Sequence, residues 1–223
     1  MDTNCSCVRR SGTYYQYKSI KSLEEYTIEE KNNNNCSYEC NSNCKCGTYC
    51  GNRLVQYGPR KDLVVEETSD KGLALYTSKK IPKGCFVCEY AGEIITEAEA
   101  SKRFKSNTDK PNYIFCIKEN YAEKEVRTYI DPTFYGNIGR YINHSCEPNT
   151  KLFILRVDDT VPILGIFADK GIDEGSEITY SYGTVNVNNI SGKKCFCGTE
   201  TCKGFLPFDP SVSDTQHQDY LEP

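Results

Sequence analysis

Residues 140–150 read RYINHSCEPNT and set His144, one of two histidines in the chain, two positions before Cys146. Three kinds of chemistry compete for such a pair: nucleophilic catalysis by an activated thiol, metal ligation, or capture of a ligand by a polar loop. A cysteine–histidine dyad needs a free thiol and a third group that orients the imidazole, and nothing in the sequence marks that third group. The other cysteines decide the fate of Cys146. Cys195, Cys197 and Cys202 form C-x-C-x4-C, one ligand short of the closed tetrahedral thiolate site that zinc prefers. Cys146 is the donor that completes it, because the spare cysteines Cys85, Cys88 and Cys116 sit in apolar runs. A zinc-held thiolate is a poor nucleophile, so the dyad loses its thiol.

The first fifty residues hold seven more cysteines: Cys5, Cys7, Cys36, Cys40, Cys44, Cys46 and Cys50. The run CNSNCKCGTYC is C-x3-C-x-C-x3-C, a spacing that lets thiolates converge on zinc at about 2.3 Å. Buried free thiols are the plainer alternative, but so dense a cluster in a polar segment argues against it. Seven thiolates satisfy two tetrahedral zincs that share one bridging sulfur; a triangle of three zincs needs nine. A disulfide framework is disfavoured, because MDTNCSCVRR lacks the apolar core of a secretory signal. No run of about 18 apolar residues predicts a transmembrane helix. The net charge of −4 argues against a broad nucleic-acid surface and suits a basic partner.

The elements that must position these residues read as mainly β. Residues 1 to about 52 are polar and lack apolar periodicity, so metal is expected to hold them in place of a core; NNNN at 32–35 reads as a loop. From about residue 60, short runs alternate with Gly, Pro and Asp: DLVVEE, GLALYTS, CFVCEYAGEII, NYIFCIKE, RTYIDPT, TKLFILRV, PILGIFADKGI and SEITYSYG. The C-x2-C of Cys85 and Cys88 lies within one such run and is expected to be buried packing, as is Cys116. One helix is predicted at TEAEASKRFK, with Thr96 as cap and Glu99 completing the S/T-x-x-E box. Residues 211–223 read as a disordered tail.

Taken together, GNIGRYINHSCEPNT, KGLALYTSKKIPKGCFVCEYAGE before it and EITYSYG after it resemble the SET-domain protein lysine methyltransferases. YECNSNCKCGTYCGNRLVQYG resembles that family's pre-SET zinc module, and CFCGTETCKGFLPFD its post-SET module. The resemblance runs from about residue 5 to 209. It implies small curved β-sheets with a threaded, pseudoknot-like C-terminal segment. The implied divisions are a pre-SET module over 1–58, possessing fewer cysteines than the family's nine, a SET domain over 59–184, a post-SET module over 185–209 and a tail over 210–223. It further implies S-adenosylmethionine as methyl donor, a histone H3 tail lysine or nucleosome as acceptor, one post-SET zinc and two or three pre-SET zincs. A monomer in nuclear chromatin, with no membrane and no strong direct nucleic-acid binding, completes the expectation.

The same resemblance assigns roles. Tyr182 matches the catalytic tyrosine, whose hydroxyl orients the amine or methyl group, and Tyr113 a second channel tyrosine. Tyr180 matches the position where Phe or Tyr tunes how many methyls are added; a tyrosine there can hold a water in the room a third methyl needs, which predicts mono- or dimethylation. Arg140, Tyr141, Asn143 and His144 match the donor-binding loop, Lys71, Gly72 and Leu73 the glycine loop across from it, and Phe205 a post-SET cofactor contact. His144 is then neither zinc ligand nor general base. Ala74 departs from the family's G-x-G; if that position required positive φ, alanine would be strained by about 1 kcal/mol or more. Two rivals stand beside this reading: a catalytically silent histone-tail reader on the same fold, and a zinc-stapled structural or DNA-binding protein.

Overall fold

A computed structural model of the chain describes residues 5–7, 15–17, 26–28, 36–47, 50–106, 111–121, 124–157, 161–183 and 190–207. The predicted tail at 211–223 and the NNNN loop lie outside these residues. Among them the architecture is a set of small β-sheets. The largest has four strands, β3 (Cys36–Tyr38), β11 (Thr150–Arg156), β12 (Ile163–Ala168) and β6 (Phe86–Glu89), in the order β3-β11-β12-β6. A three-stranded sheet, β7-β9-β8, uses Gly92–Ile95, Lys124–Gly136 and Phe115–Tyr121. Two-stranded pairs join β4 (Leu63–Thr68) to β5 (Gly72–Thr77), β10 (Asn143–His144) to β13 (Thr179–Tyr180), β14 (Ile190–Lys194) to β15 (Phe205–Pro207), and β1 (Tyr15–Tyr17) to β2 (Tyr26–Ile28).

The apolar pattern explains the packing. In β12 the run ILGIFA has no polar alternation, because both of its faces are covered. Leu164, Ile166 and Ala168 point into the main core with Leu75, Val87, Ile142 and Ile178. Phe167 points the other way, into a second core with Phe86, Leu155, Leu54 and Val55. Period-two geometry thus lets one strand feed two cores. Cys85 and Cys88 are fully buried in the main core, which is the ordinary packing expected of them.

Two expectations need correction. CFVCEYAGEII reads as one strand but is two. β6 pairs with β12 and β7 with β9, so the chain changes sheets at Tyr90 and Ala91. Gly92 permits the change, since a Cβ there would lie 2.6 Å from the Asp131 carbonyl carbon. The N-terminal region is also more than a metal-held appendage. β3 runs parallel to β11, Glu39 N donates to Arg156 O at 2.8 Å, and Leu54 and Val55 fill the second core. A buried Glu39 stitches this region further, accepting Val55 N and Gln56 Nε2, each at 2.8 Å.

The predicted helix is α1, Glu97–Ser106, and Thr96 Oγ1 accepts from Glu99 N at 3.2 Å as the cap requires. Glu99's carboxylate turns to Arg103, one turn on, at 2.9 Å. Arg103 also reaches Glu93 on β7 at 2.9 Å and buried Asp131 on β9 at 2.7 Å, which pins the helix to the three-stranded sheet. Burial alone would raise the Asp131 pKa, but the Thr133 hydroxyl and Arg103 outweigh it and hold it below the ordinary carboxylate value. The stability Asp131 contributes is therefore complete above the unfolded carboxyl's pKa of about 3.9 and fades as pH falls through its lower folded value. Arg103→Met should strand that charge and lower unfolding free energy by about 3 kcal/mol, measured by urea denaturation at neutral pH; the deficit should shrink under acid.

Candidate active site

Residues 142–146 and 178–182 run side by side, and that pairing builds the site. Asn143 lies opposite Thr179 and His144 opposite Tyr180 in the parallel β10–β13 pair, extended by Ser145 N donating to Tyr180 O at 3.1 Å. Asn149 fastens the arrangement: its Nδ2 donates to Glu177 O at 2.8 Å and its Oδ1 accepts from Thr179 N at 2.9 Å. Two motifs 35 or so residues apart in sequence thus share one backbone ladder.

Aromatic side chains gather on this ladder. Tyr180 and Tyr182 have ring centroids 4.8 Å apart, Tyr90 stands edge-on to Tyr180 at 6.1 Å, and Phe115 lies 5.8 Å from Tyr90. The hydroxyls have a definite direction. Tyr90 Oη donates to the Tyr113 carbonyl at 2.6 Å, since a carbonyl can only accept. Its one proton is spent there, so towards Tyr180, whose ring stands edge-on to it, it has only lone pairs to offer. Tyr182 Oη donates to Ile142 O at 3.0 Å. Tyr182 therefore has its proton committed and its lone pairs to offer. Burial, reinforced by neighbouring tyrosines, pushes the pKa of Tyr90, Tyr180 and Tyr182 upward, so all three are phenols near neutrality.

Tyr113 enters from the strand-free segment before β8, and the Arg140 guanidinium lies 4.6 Å above its ring and 5.5 Å from that of Tyr141. Arg140 Nη1 donates to Thr133 O at 3.2 Å. Cation–π contact of this kind fixes the ring's tilt. Asn143 Nδ2 reaches Leu73 O and Glu177 Oε1, each at 3.2 Å, which brings the Lys71–Leu73 loop against the ladder. Lys71 is itself ion-paired with Glu177. The left-handed residue of this loop is Gly72, at φ +70°, whereas Ala74 sits in the β4–β5 ladder opposite Glu66. The conditional strain at Ala74 is thereby removed: its backbone is extended. Phe205 is half-exposed on β15, and no hydrogen bond or ring contact among the described residues ties it to Asn143, His144 or Tyr182.

His144 is buried, and its two nitrogens have separate tasks. Nδ1 accepts from Tyr182 N at 3.2 Å, which leaves the proton on Nε2, 3.5 Å from Cys146 Sγ. Burial holds its pKa below the usual value, in keeping with that neutral tautomer. The ring is a strut between the Tyr182 backbone and a sulfur.

That sulfur belongs to a cluster. The thiols of Cys146, Cys195, Cys197 and Cys202 all lie within 4.8 Å of one another, as do those of Cys5, Cys7, Cys40 and Cys44, and those of Cys40, Cys46 and Cys50. Four sulfurs about 2.3 Å from a tetrahedral zinc stand roughly 3.8 Å apart; the Cys5–Cys40 and Cys7–Cys44 separations are both 3.6 Å. The donors around them suit thiolates. Lys203 N faces Cys146 and Gly204 N faces Cys202, each at 3.4 Å, Asn41 N faces Cys44 at 3.3 Å, and Arg53 faces Cys46 at 3.7 Å. Burial opposes ionisation of Cys197, yet the Thr199 hydroxyl brings its pKa down to about 6. Both ends of the chain could thus hold zinc. Six of the seven N-terminal cysteines converge, with Cys40 common to both groups. Cys36 lies in β3 opposite Ile154, and its side chain is outside those described.

Several contributors were not singled out by residue type and spacing. Tyr90 lies in the quoted CEYAGE, but the neighbouring cysteines drew attention from it. Glu177 lies in SEITYSYG beside the tyrosines. The Ile142 carbonyl has no side-chain signal at all.

Small sheets around a shared parallel ladder, with cysteine clusters at both ends, coincide with a match of the SET domain family model to residues 72–183, and the chain belongs to the SET-domain family. Its relatives are histone-lysine N-methyltransferases. SETMAR of Rattus norvegicus is 40% identical over 93% of this chain and 69% of its own length. The methyltransferase domain of human SETMAR superposes with a TM-score of 0.77 at 37% identity, covering 92% of this chain and 76% of that one. KRYPTONITE, in a complex with mCHH DNA, an H3(1-15) peptide and SAH, superposes with a TM-score of 0.70 at 28% identity, over 91% of this chain and 40% of its own. Among the described residues no helix is long and apolar enough to cross a membrane.

Because Cys40 is common to both N-terminal groups, Cys40→Ser should release more zinc than Cys7→Ser, measured by plasma mass spectrometry on desalted protein. Equal losses would mean that the two groups do not share a sulfur.

Proposed function

We propose that this chain is a histone H3 lysine N-methyltransferase that uses S-adenosylmethionine and stops at mono- or dimethylation. The observation that carries the reading is the directed set of tyrosine hydroxyls beside the Asn143–His144 ladder. S-adenosylmethionine, when bound, supplies an electrophilic methyl group on a sulfonium. The chain's own residues then have to align an amine and keep it neutral. Methyl transfer is an in-line displacement, so alignment is where most of the rate is gained.

Tyr182 has its proton on the Ile142 carbonyl, so its oxygen accepts. An amine N–H donated to that oxygen turns the nitrogen lone pair away from the tyrosine. The buried aromatic surroundings of Tyr90, Phe115, Tyr113 and Tyr180 disfavour an ammonium ion and so lower the lysine's pKa from its reference of about 10.4. No residue of the set has to act as a strong base. Tyr180 sets a second, buried phenol beside Tyr182, the two ring centroids 4.8 Å apart. A water held there would occupy the room of a third methyl. Asn143, His144, Arg140, Tyr141, Lys71, Gly72 and Leu73 are the proposed donor-binding residues, with Phe205 as a contact that the C-terminal module would add on binding.

Zinc is proposed as a structural metal, one ion on Cys146, Cys195, Cys197 and Cys202 and two in the N-terminal cluster bridged by Cys40. A basic H3 tail suits a chain of net charge −4, and chromatin in the nucleus, reached by a monomer, follows as the setting. The H3 peptide named for KRYPTONITE supports the acceptor class.

A labelled-methyl assay on recombinant H3, with intact-mass readout, tests this. The wild-type chain should transfer label to lysine. Tyr182→Phe should lose about 100-fold or more in turnover, the scale of a positioned proton-handling group, with donor affinity within a few-fold of wild type. Absence of transfer by the wild type would favour the silent reader. Tyr180→Phe should shift the product towards trimethyl-lysine; an unchanged product distribution would refute the water-holding role.

A further inference from the structure

The three-stranded sheet has two unlike faces. On one, Glu93 lies opposite Asp131 and both meet Arg103 of α1, so the helix covers it. Ile94, the next residue of β7, points to the other face, opposite Ile130. That face carries a cavity of about 300 Å³, lined by Gly92 and Ile94 from β7 and by Val161 and Pro162 from the β11–β12 connection. Ile94 and Val161 are half exposed, which leaves apolar surface in water at its mouth. Among the described residues that line the cavity, Glu89 is the only charged one. It is half-buried at the end of β6, and among the described residues no hydrogen bond or ion pair answers its carboxylate. Burial, and then the like charge of Glu39, push its pKa above the ordinary value. A carboxylate left so is costly to keep. β7 is also the outer strand of the order β7-β9-β8, and among the described residues nothing pairs with its far edge. Natural edges are commonly guarded by charge; the one charged side chain of β7, Glu93, is turned to Arg103 instead.

We propose that this cavity docks an extended, arginine-bearing segment of a partner protein, whose backbone adds a strand to the free edge of β7 and whose guanidinium enters to meet Glu89. The two halves of the recognition fit together. A strand laid beside β7 sets alternate side chains on the same face as Ile94, which is the face the cavity occupies. Main-chain hydrogen bonds along the edge supply affinity, and the side chain that enters the pocket supplies specificity. Arginine suits the pocket better than lysine. Its forked donors match a carboxylate, and its guanidinium is the more weakly hydrated cation. Its aliphatic stem would lie along Ile94, Val161 and Pro162 while the charged head passes inward. Tyr90, which stands edge-on to Tyr180, also lines the cavity, so the groove adjoins the aromatic wall of the active site without containing it. Docking here needs neither methyl donor nor acceptor lysine and stands apart from the methyltransferase reading.

The probe is a capped synthetic pentapeptide of β-branched residues around one arginine, titrated by fluorescence anisotropy into the full, zinc-loaded chain. Two controls accompany it: the same peptide with citrulline for arginine, which keeps the shape and loses the charge, and the same peptide with alternate backbone nitrogens methylated. Wild type should bind the citrulline peptide about 30-fold more weakly than the arginine peptide, the scale of a lost hydrogen bond between charged groups. Glu89→Gln should bind both within about 3-fold of each other. Ile94→Lys, which places a charge on the edge strand, should weaken the arginine peptide about tenfold or more. Glu89→Gln removes an unanswered charge and should melt no lower than wild type; the citrulline comparison on wild type stands without it. Amide shifts on binding should centre on Gly92–Ile95. Equal affinity for arginine and citrulline peptides would overturn the role of Glu89, and undiminished binding of the methylated peptide would overturn strand addition. No binding of the arginine peptide at about 1 mM would overturn the docking site. Self-association of the chain alone, seen by sedimentation velocity and removed by Glu89→Gln, would put a second copy in the groove and overturn its assignment to a partner.

Discussion

The site depends on one imidazole. His144 accepts the Tyr182 backbone N–H on one nitrogen and offers its proton to Cys146 on the other. The rest of the ladder is backbone pairing fastened by the Asn149 amide. This ring links the tyrosine segment to the C-terminal cysteine cluster. A phenylalanine would fill the space but leave the Tyr182 N–H without its acceptor, and the low dielectric of the site would make that loss felt. The neutral state of the ring, favoured by burial, keeps one nitrogen an acceptor and the other a donor.

Around that strut the fold divides labour between rigid and adjustable parts. The continuous apolar run of β12 anchors two cores at once, so the ladder rests on a base with little freedom. The aromatic wall rests on it through Tyr90, where the chain leaves one sheet and enters another. The glycine loop, by contrast, is held to the ladder by one hydrogen bond, Asn143 Nδ2 to Leu73 O, and one ion pair, Lys71 to Glu177. On the proposed function, the rigid side would face the acceptor amine and the lighter side the methyl donor.

Much of this was legible from residue types. The cysteines sort themselves by spacing into two ends, and the requirement for a fourth ligand draws Cys146 to the C-terminal group; Cys85 and Cys88, in an apolar run, are packed in the core as their surroundings demand. The Thr96 cap was readable because capping is local chemistry. What escaped was non-local. CFVCEYAGEII contains no polar residue forceful enough to mark a change of sheet, and the close approach of Gly92 to β9 that permits it shows only in three dimensions. Glu177 looks like any surface carboxylate in sequence, because its partners lie 106 and 34 residues away. The parallel register of β3 with β11 could not be read either, since a three-residue strand carries too little pattern to choose a partner.

That register bears on how the protein is made. β3 leaves the ribosome more than a hundred residues before the strand it pairs with, and the His144 ladder waits for Thr179. Until then the cysteine-rich segment has no sheet to join. Its thiols are the part able to become ordered early, by metal capture alone, while strand pairs of such long separation are slow to close. With zinc held as proposed, the order of synthesis would give it a task in time as well as in space: ordering the segment around β3 through the interval in which that unpaired strand edge could otherwise pair with a neighbouring nascent chain.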